Sequence, residues 1–81
     1  MEFSNFQNWL EREKRFQKKS ARDVISRLKR SFSYVNFSQD LEEEDFLFQL
    51  QKKEEFKRFS SSVKSQLKRA VSLYWDFLKS S

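Results

Sequence analysis

The chain of 81 residues contains no glycine, no proline, no histidine and no cysteine. Without glycine and proline it lacks the residues that most readily set tight turns and interrupt helices. Without histidine and cysteine it lacks the commonest metal ligands, the side chain that titrates near neutrality, the thiolate nucleophile and any disulfide. No apolar run exceeds three residues, the longest being Phe46-Leu47-Phe48 and Leu73-Tyr74-Trp75. A membrane-spanning helix needs about 20, and the apolar core of a secretory leader needs more than is here. These absences predict a helical, chemically quiet protein, soluble and cytoplasmic, with no cofactor, metal or small-molecule substrate.

What is present is cationic and aromatic. Seventeen residues are lysine or arginine against twelve acidic ones, a net charge of +5, and ten are phenylalanine. A chain this short makes a single domain, residues 1–81, and buries only about 60% of the surface its unfolded form exposes. Phenylalanine and tryptophan bring the most apolar area per residue to so small a core. The charge favours a polyanionic partner. It is also uneven: residues 1–40 hold nine Lys/Arg and five Asp/Glu, whereas Glu42-Glu43-Glu44-Asp45 form one acidic run. With no further ligand spacing, that run reads as a stabilised helix N-terminus rather than a metal site.

Periodicity predicts four helices and no strand. Ser4-x-x-Gln7 reads as a capping box, followed by Phe6, Trp9, Leu10 and Phe16 at helical spacing, for a first helix from about Asn5 to Gln17. Ser20-x-x-Asp23 reads as the cap of a second, with Ala21, Val24, Ile25, Leu28, Phe32 and Val35 within one arc, ending near Asn36. Asp40-x-x-Glu43 opens a short third helix with Phe46, Leu47 and Leu50 inward. Continuing it would place Phe56 and Phe59 on the face opposite Leu50, so a break is expected near Lys52 to Glu55. Ser60-Ser61-Ser62 then caps a long last helix whose stripe is Val63, Leu67, Ala70, Val71, Tyr74, Phe77 and Leu78.

The second and last helices share a pattern. Val24-x-Ser26-x-Leu28-Lys29-Arg30-x-x-Ser33 recurs 39 residues later as Val63-x-Ser65-x-Leu67-Lys68-Arg69-x-x-Ser72. Two amphipathic helices drawing on one small vocabulary would produce it, and so would two pseudo-equivalent halves. In both readings the apolar stripes coincide, and so do the outward Lys-Arg pairs.

The outward arcs carry the candidate chemistry. Lys18, Lys19, Arg22, Ser26, Lys29, Arg30 and Ser33 lie in or beside the second helix, and Lys64, Ser65, Lys68, Arg69 and Ser72 lie on the last. Lysine and arginine neutralise phosphates and release counterions, and serine hydroxyls add neutral hydrogen bonds to phosphate oxygens. Arg22, Arg30 and Arg69 are candidates for reading guanine edges. The competing reading is the ordinary charged outer face of a helix; against it, few acids interrupt these arcs, Asp76 and the edge residue Asp23 being the exceptions. Arg15, Arg27 and Arg58 are set aside because Glu11, Asp23 and Glu54 stand four residues before them, the spacing of intrahelical ion pairs.

Phe6-x-x-Trp9-Leu10, Ser20-x-x-x-Val24-x-x-x-Leu28-x-x-x-Phe32, Phe46-Leu47-x-x-Leu50 and Ser62-Val63-x-x-x-Leu67-x-x-Ala70-x-x-x-Tyr74-x-x-Phe77-Leu78 follow one another along nearly the whole chain. In this order they resemble the N-terminal core-binding domain of tyrosine recombinases, the phage-integrase group. The resemblance implies an all-α fold, a compact four-helix orthogonal bundle that is SAM-like and lambda-integrase-like. It implies a non-catalytic module that contacts the phosphates and major groove of double-stranded DNA with its second and fourth helices. A second implied partner is the C-terminal catalytic domain of a longer parent protein, whose residues this chain does not hold. Tyr34 and Tyr74 are poor nucleophile candidates, since Tyr74 lies on an apolar stripe and no histidine assists either.

Two rivals come from other classes. One is a helical protein–protein interaction domain using Phe48, Trp75 and their neighbours as a patch. The other is a peripheral binder of anionic membranes. Phe3, Phe37, Phe48 and Trp75 fall at stripe edges or outside them, where the expectation is that they close the core from its ends.

Overall fold

The computed structural model describes residues 3–80 and is all-helical, with no strand among the described residues. Five helices follow one another: α1 (Ser4–Arg12), α2 (Lys18–Tyr34), α3 (Glu43–Gln51), α4 (Glu54–Lys57) and α5 (Ser61–Ser80). The expected four are all present, and the fifth is the single turn α4. It follows the break expected near Lys52 to Glu55, which falls at Lys52 and Lys53, where Lys53 takes an extended conformation and re-aims the next turn. That re-aiming sends Phe56 inward, to 3% exposure.

The long stripes are where periodicity placed them. α2 buries Ala21, Val24, Ile25 and Leu28, and α5 buries Leu67, Ala70, Val71 and Tyr74, and these two helices form the most extensive packing pair. Beneath them lie Phe6 and Leu10 of α1 and Phe46 and Leu50 of α3, all fully buried or nearly so. Each such side chain contributes about 1.5–3 kcal/mol by leaving water. Ser31, the one buried polar side chain of the core, donates its hydroxyl to the Arg27 carbonyl at 3.1 Å, so it enters without an unmet hydrogen bond.

Nine of the aromatic rings form one connected body around Tyr74, and Tyr34, Phe56 and Phe59 form a second, smaller group. Tyr74 meets Phe6 edge to face at 5.1 Å between centroids, Phe37 at 5.5 Å, Phe32 at 5.7 Å and Phe3 at 5.9 Å. These are the separations and tilts that the ring quadrupole favours. Phe3, Phe37 and Trp75 close the core as expected, with Trp75 only 6% exposed and its indole N–H donating to the Leu41 carbonyl at 3.3 Å. Phe48 does not: it is 59% exposed on the outside of α3.

The helix ends depart from expectation in ways that matter for the surface. α1 stops at Arg12 rather than running to Gln17, because Arg15 adopts a left-handed backbone (φ 56°) and the Phe16 N–H turns back to the Leu10 carbonyl at 3.0 Å. In a chain without glycine an arginine takes the conformation that glycine usually takes, at a cost of about 1–2 kcal/mol. Ser4 makes no cap hydrogen bond; Gln7, its expected capping partner, donates to the Glu11 carboxylate at 3.0 Å. Ser20 is not a cap either: α2 begins two residues earlier, after Gln17, and ends at Tyr34. Asp40 likewise stands outside α3, whose N-cap is Glu42, although Glu43, Glu44 and Asp45 do occupy the first turn, where the helix dipole favours them. Ser60 alone behaves as expected, its Oγ accepting the Val63 N–H at 3.3 Å.

Two outcomes test this core. Leu50→Ala should cost about 2–5 kcal/mol, read as a lowered urea midpoint at unchanged slope. Burial raises the Tyr74 phenol above its ordinary value. An unfolded tyrosine ionises near pH ~10, whereas the folded one keeps its proton to higher pH. Over that window the folded state therefore binds more protons, and stability falls as the pH rises past about 10. Urea unfolding followed through this range should show a shallower alkaline loss in Tyr74→Phe than in the parent protein.

Candidate nucleic-acid interface

No basic residue of α2 or α5 forms an ion pair among the described residues. Among the described residues the only ion pair joins Lys57 to Glu54 at 3.7 Å, on exposed α4. The pairs expected from i,i+4 spacing do not form: Glu11 is engaged by Gln7, and α1 ends before Arg15. Neither Asp23 with Arg27 nor Glu54 with Arg58 closes to ion-pair distance.

Several cations lie over aromatic rings instead. The Arg30 guanidinium sits 4.5 Å from the centroid of Phe59 and that of Arg69 sits 5.4 Å from Phe16. Lys29 lies 5.8 Å from Phe3, and Lys64 lies 6.0 Å from Phe56. A guanidinium stacked on a ring keeps its N–H donors, which radiate in the guanidinium plane, available to an oxyanion. Arg30 and Arg69, the equivalent positions of the internal repeat, are thus both held on a phenylalanine face with their donors unspent.

The placement of the twelve candidates is uneven. Lys18, Lys19, Arg22, Ser26, Lys29, Arg30 and Ser33 are all exposed on α2, and Ser65 and Arg69 are exposed on α5. Lys64 and Lys68 are half-buried. Lys18 and Lys19 belong to the first turn of α2 rather than to a preceding turn, which places them one helical turn from Arg22. Lys29 and Arg30 lean apart, one toward Phe3 ahead of α1 and the other toward Phe59 behind α4. Ser33 gives its hydroxyl proton to the Arg30 carbonyl. Ser72 is half-buried and donates to the Glu43 carboxylate at 2.9 Å, so its proton is not available to a phosphate.

Three concavities flank this surface. One, of about 560 Å³, is acidic: Asp40, Glu42, Glu43 and Glu44 line it with Trp75 and Lys79, and it would repel a polyanion. A second, about 360 Å³, lies among Phe3, Lys29, Phe32 and Ser33 at the C-terminal part of α2. The third, about 320 Å³, lies at the opposite end of α2 and joins Arg69 of α5 to Arg15, Phe16, Gln17 and Ser20. Sequence reasoning missed Arg15 because the spacing to Glu11 presumed a helix that the left-handed turn ends.

Of the two aromatics named for an interaction patch, Trp75 is buried and Phe48 is exposed. No helix among the described residues is long and apolar enough to cross a membrane. No protein family matches the chain, no curated protein matches its sequence and no solved structure matches its fold.

The Ser72–Glu43 bond ties α5 to α3 across the edge of the basic stripe. A hydrogen bond to a charged group contributes about 1.5–3 kcal/mol, toward the lower end where water reaches it. Ser72→Ala should lower thermal and urea stability by about that amount.

Proposed function

We propose that the chain is a non-catalytic module that binds double-stranded DNA through the exposed cations of α2 and the N-terminal half of α5. We place it, on the order and content of its helices, with the SAM-like core-binding domains of tyrosine recombinases. One observation carries the DNA reading: among the described residues the basic residues of both helices are unpaired with acids, and two of their arginines lie over phenylalanine rings, Arg30 over Phe59 and Arg69 over Phe16. Holding a guanidinium in place before the ligand arrives lowers the ordering entropy lost on contact. The phosphate backbone is the partner that rewards such an arrangement, because each neutralised phosphate releases condensed counterions.

The role of each group follows from its placement. Lys18, Lys19 and Arg22 neutralise phosphates at the start of α2, and Lys29 does so near its end. Arg30 and Arg69 present planar forks suited to bidentate contact, with a phosphate or with the O6 and N7 of a guanine. Ser26 and Ser65 offer exposed hydroxyls for neutral hydrogen bonds to phosphate oxygens. The contact on α5 ends before Ser72, where Glu43 takes over.

A single small module without a partner domain binds DNA in the non-specific range, with a Kd of about 10⁻⁴ to 10⁻⁶ M at physiological salt. Titrating the labelled protein with a random duplex of about 20 base pairs should shift amides of residues 18–33 and 64–69, with affinity falling steeply as salt rises. The charge reversals Lys29→Glu and Arg30→Glu together should abolish the shifts while the spectrum stays folded. Shifts confined to the surroundings of Phe48, or none, would overturn the reading.

A further inference from the structure

The concavity that joins α5 to the turn before α2 sits apart from the ridge of Lys29 and Arg30. Its lining comes from two separate parts of the chain: Arg15, Phe16, Gln17 and Ser20 from the turn and the start of α2, and Arg69 from α5. No carboxylate is among them. Two arginines from different elements therefore line one open space of about 320 Å³, together with a glutamine and a serine. Like charges repel, and among the described residues neither arginine takes part in an ion pair.

Arg69 lies over the Phe16 ring at 5.4 Å, and the left-handed backbone at Arg15 sets the direction in which its side chain leaves the turn after α1. Outside the concavity the positive surface continues through Lys18, Lys19 and Arg22.

We propose that this concavity is an oxyanion-binding site for a single phosphate group, with Arg15 and Arg69 as its two forks. Resting on the DNA reading above, its ligand there is one phosphodiester of the backbone, seated where α5 meets the start of α2. Arg15 and Arg69 donate to the non-bridging oxygens, and Gln17 and Ser20 supply neutral donors at the rim. A lipid headgroup carries the same chemistry but fits the surroundings less well. Phe16 is half-buried beneath Arg69, and Phe48, the exposed large apolar side chain that could enter a bilayer, belongs to α3.

The test uses two substitutions, singly and together. Arg15→Gly removes one guanidinium while suiting the left-handed backbone, so loss of the fold cannot account for a lost site. Arg69→Gln removes the other from an exposed position. Inorganic phosphate added at low ionic strength should shift the amides of residues 15–20 and 69 in the parent protein, and those shifts should vanish in the double variant. Lys29→Glu with Arg30→Glu should leave them intact. With the duplex, the double variant should bind about tenfold more weakly, and the slope of log K against log salt should fall by about 1.

Phosphate shifts that are absent, or equal in the double variant, overturn the site. So does duplex affinity that Arg15→Gly and Arg69→Gln leave unchanged. Phosphate shifts at residues 15–20 and 69 without any duplex binding support the site and overturn the DNA reading instead. Tighter binding to phosphatidylserine vesicles than to duplex, lost in the double variant, assigns the site to lipid and overturns the phosphodiester of DNA as its ligand.

Discussion

The edge-to-face contacts around Tyr74 are the constraint from which the rest of the arrangement follows. Its ring meets Phe6 of α1 at 84°, Phe32 of α2 at 77° and Phe37 of the α2–α3 connection at 74°. A chain with no disulfide, no metal-binding histidine or cysteine and a core this small has few other means of fixing helices against one another. Ring pairs supply about 0.5–1.5 kcal/mol each beyond their buried area, and they are directional, so they choose an orientation as well as stabilise it. Arg69 stands five residues before Tyr74 on α5. Fixing the roll of α5 at Tyr74 therefore also fixes where Arg69 emerges, which is beside the start of α2.

The same side-chain class acts outside the core in a different capacity. Phe16 and Phe59 are half-buried and carry Arg69 and Arg30 on their faces. A carboxylate in their place would hold the guanidinium by its N–H donors and cancel its charge. A ring holds it by its flat face and does neither. The abundance of phenylalanine thus explains two properties together: a large core from a short chain, and a positive surface that stays unneutralised although twelve acids are present.

The long, strongly periodic elements were legible in the sequence, and the short-range detail was not. The stripes of α2 and α5 repeat over enough turns that one inward face is possible, and their burial follows. The misreadings have different physical sources, all of them outside the helical pattern itself. Ser20 and Asp40 look like caps, but helix starts at Gln17 and Glu42 are set by where the chain enters the core, and tertiary packing outweighs the roughly 1 kcal/mol a cap provides. Ser72 looks like a free hydroxyl on a basic stripe until folding brings Glu43 to it from a distant part of the chain. Arg15 looks like half of an intrahelical pair until the helix ends three residues before it. Periodicity carries no information about any of these partners.

The division of charge on α5 completes the argument for where a polyanion can lie. Lys68 and Arg69 precede Ser72, and Asp76 follows it; at Ser72 itself the acidic first turn of α3 is bonded to the helix. The two signs meet within a single turn of helix, a distance shorter than the Debye length of about 8 Å at physiological ionic strength, so salt does not separate their fields there. Toward the start of α2 the exposed Lys18, Lys19 and Arg22 outnumber the single exposed Asp23, and the N-terminal half of α5 carries Lys64, Lys68 and Arg69 with no acid of its own. A strand of phosphates following the favourable potential would run from α2 across the Arg69 corner and leave the protein before Ser72. The net charge of +5 says nothing of such a path; it is the Glu43 contact, far from the cations in sequence, that sets its limit.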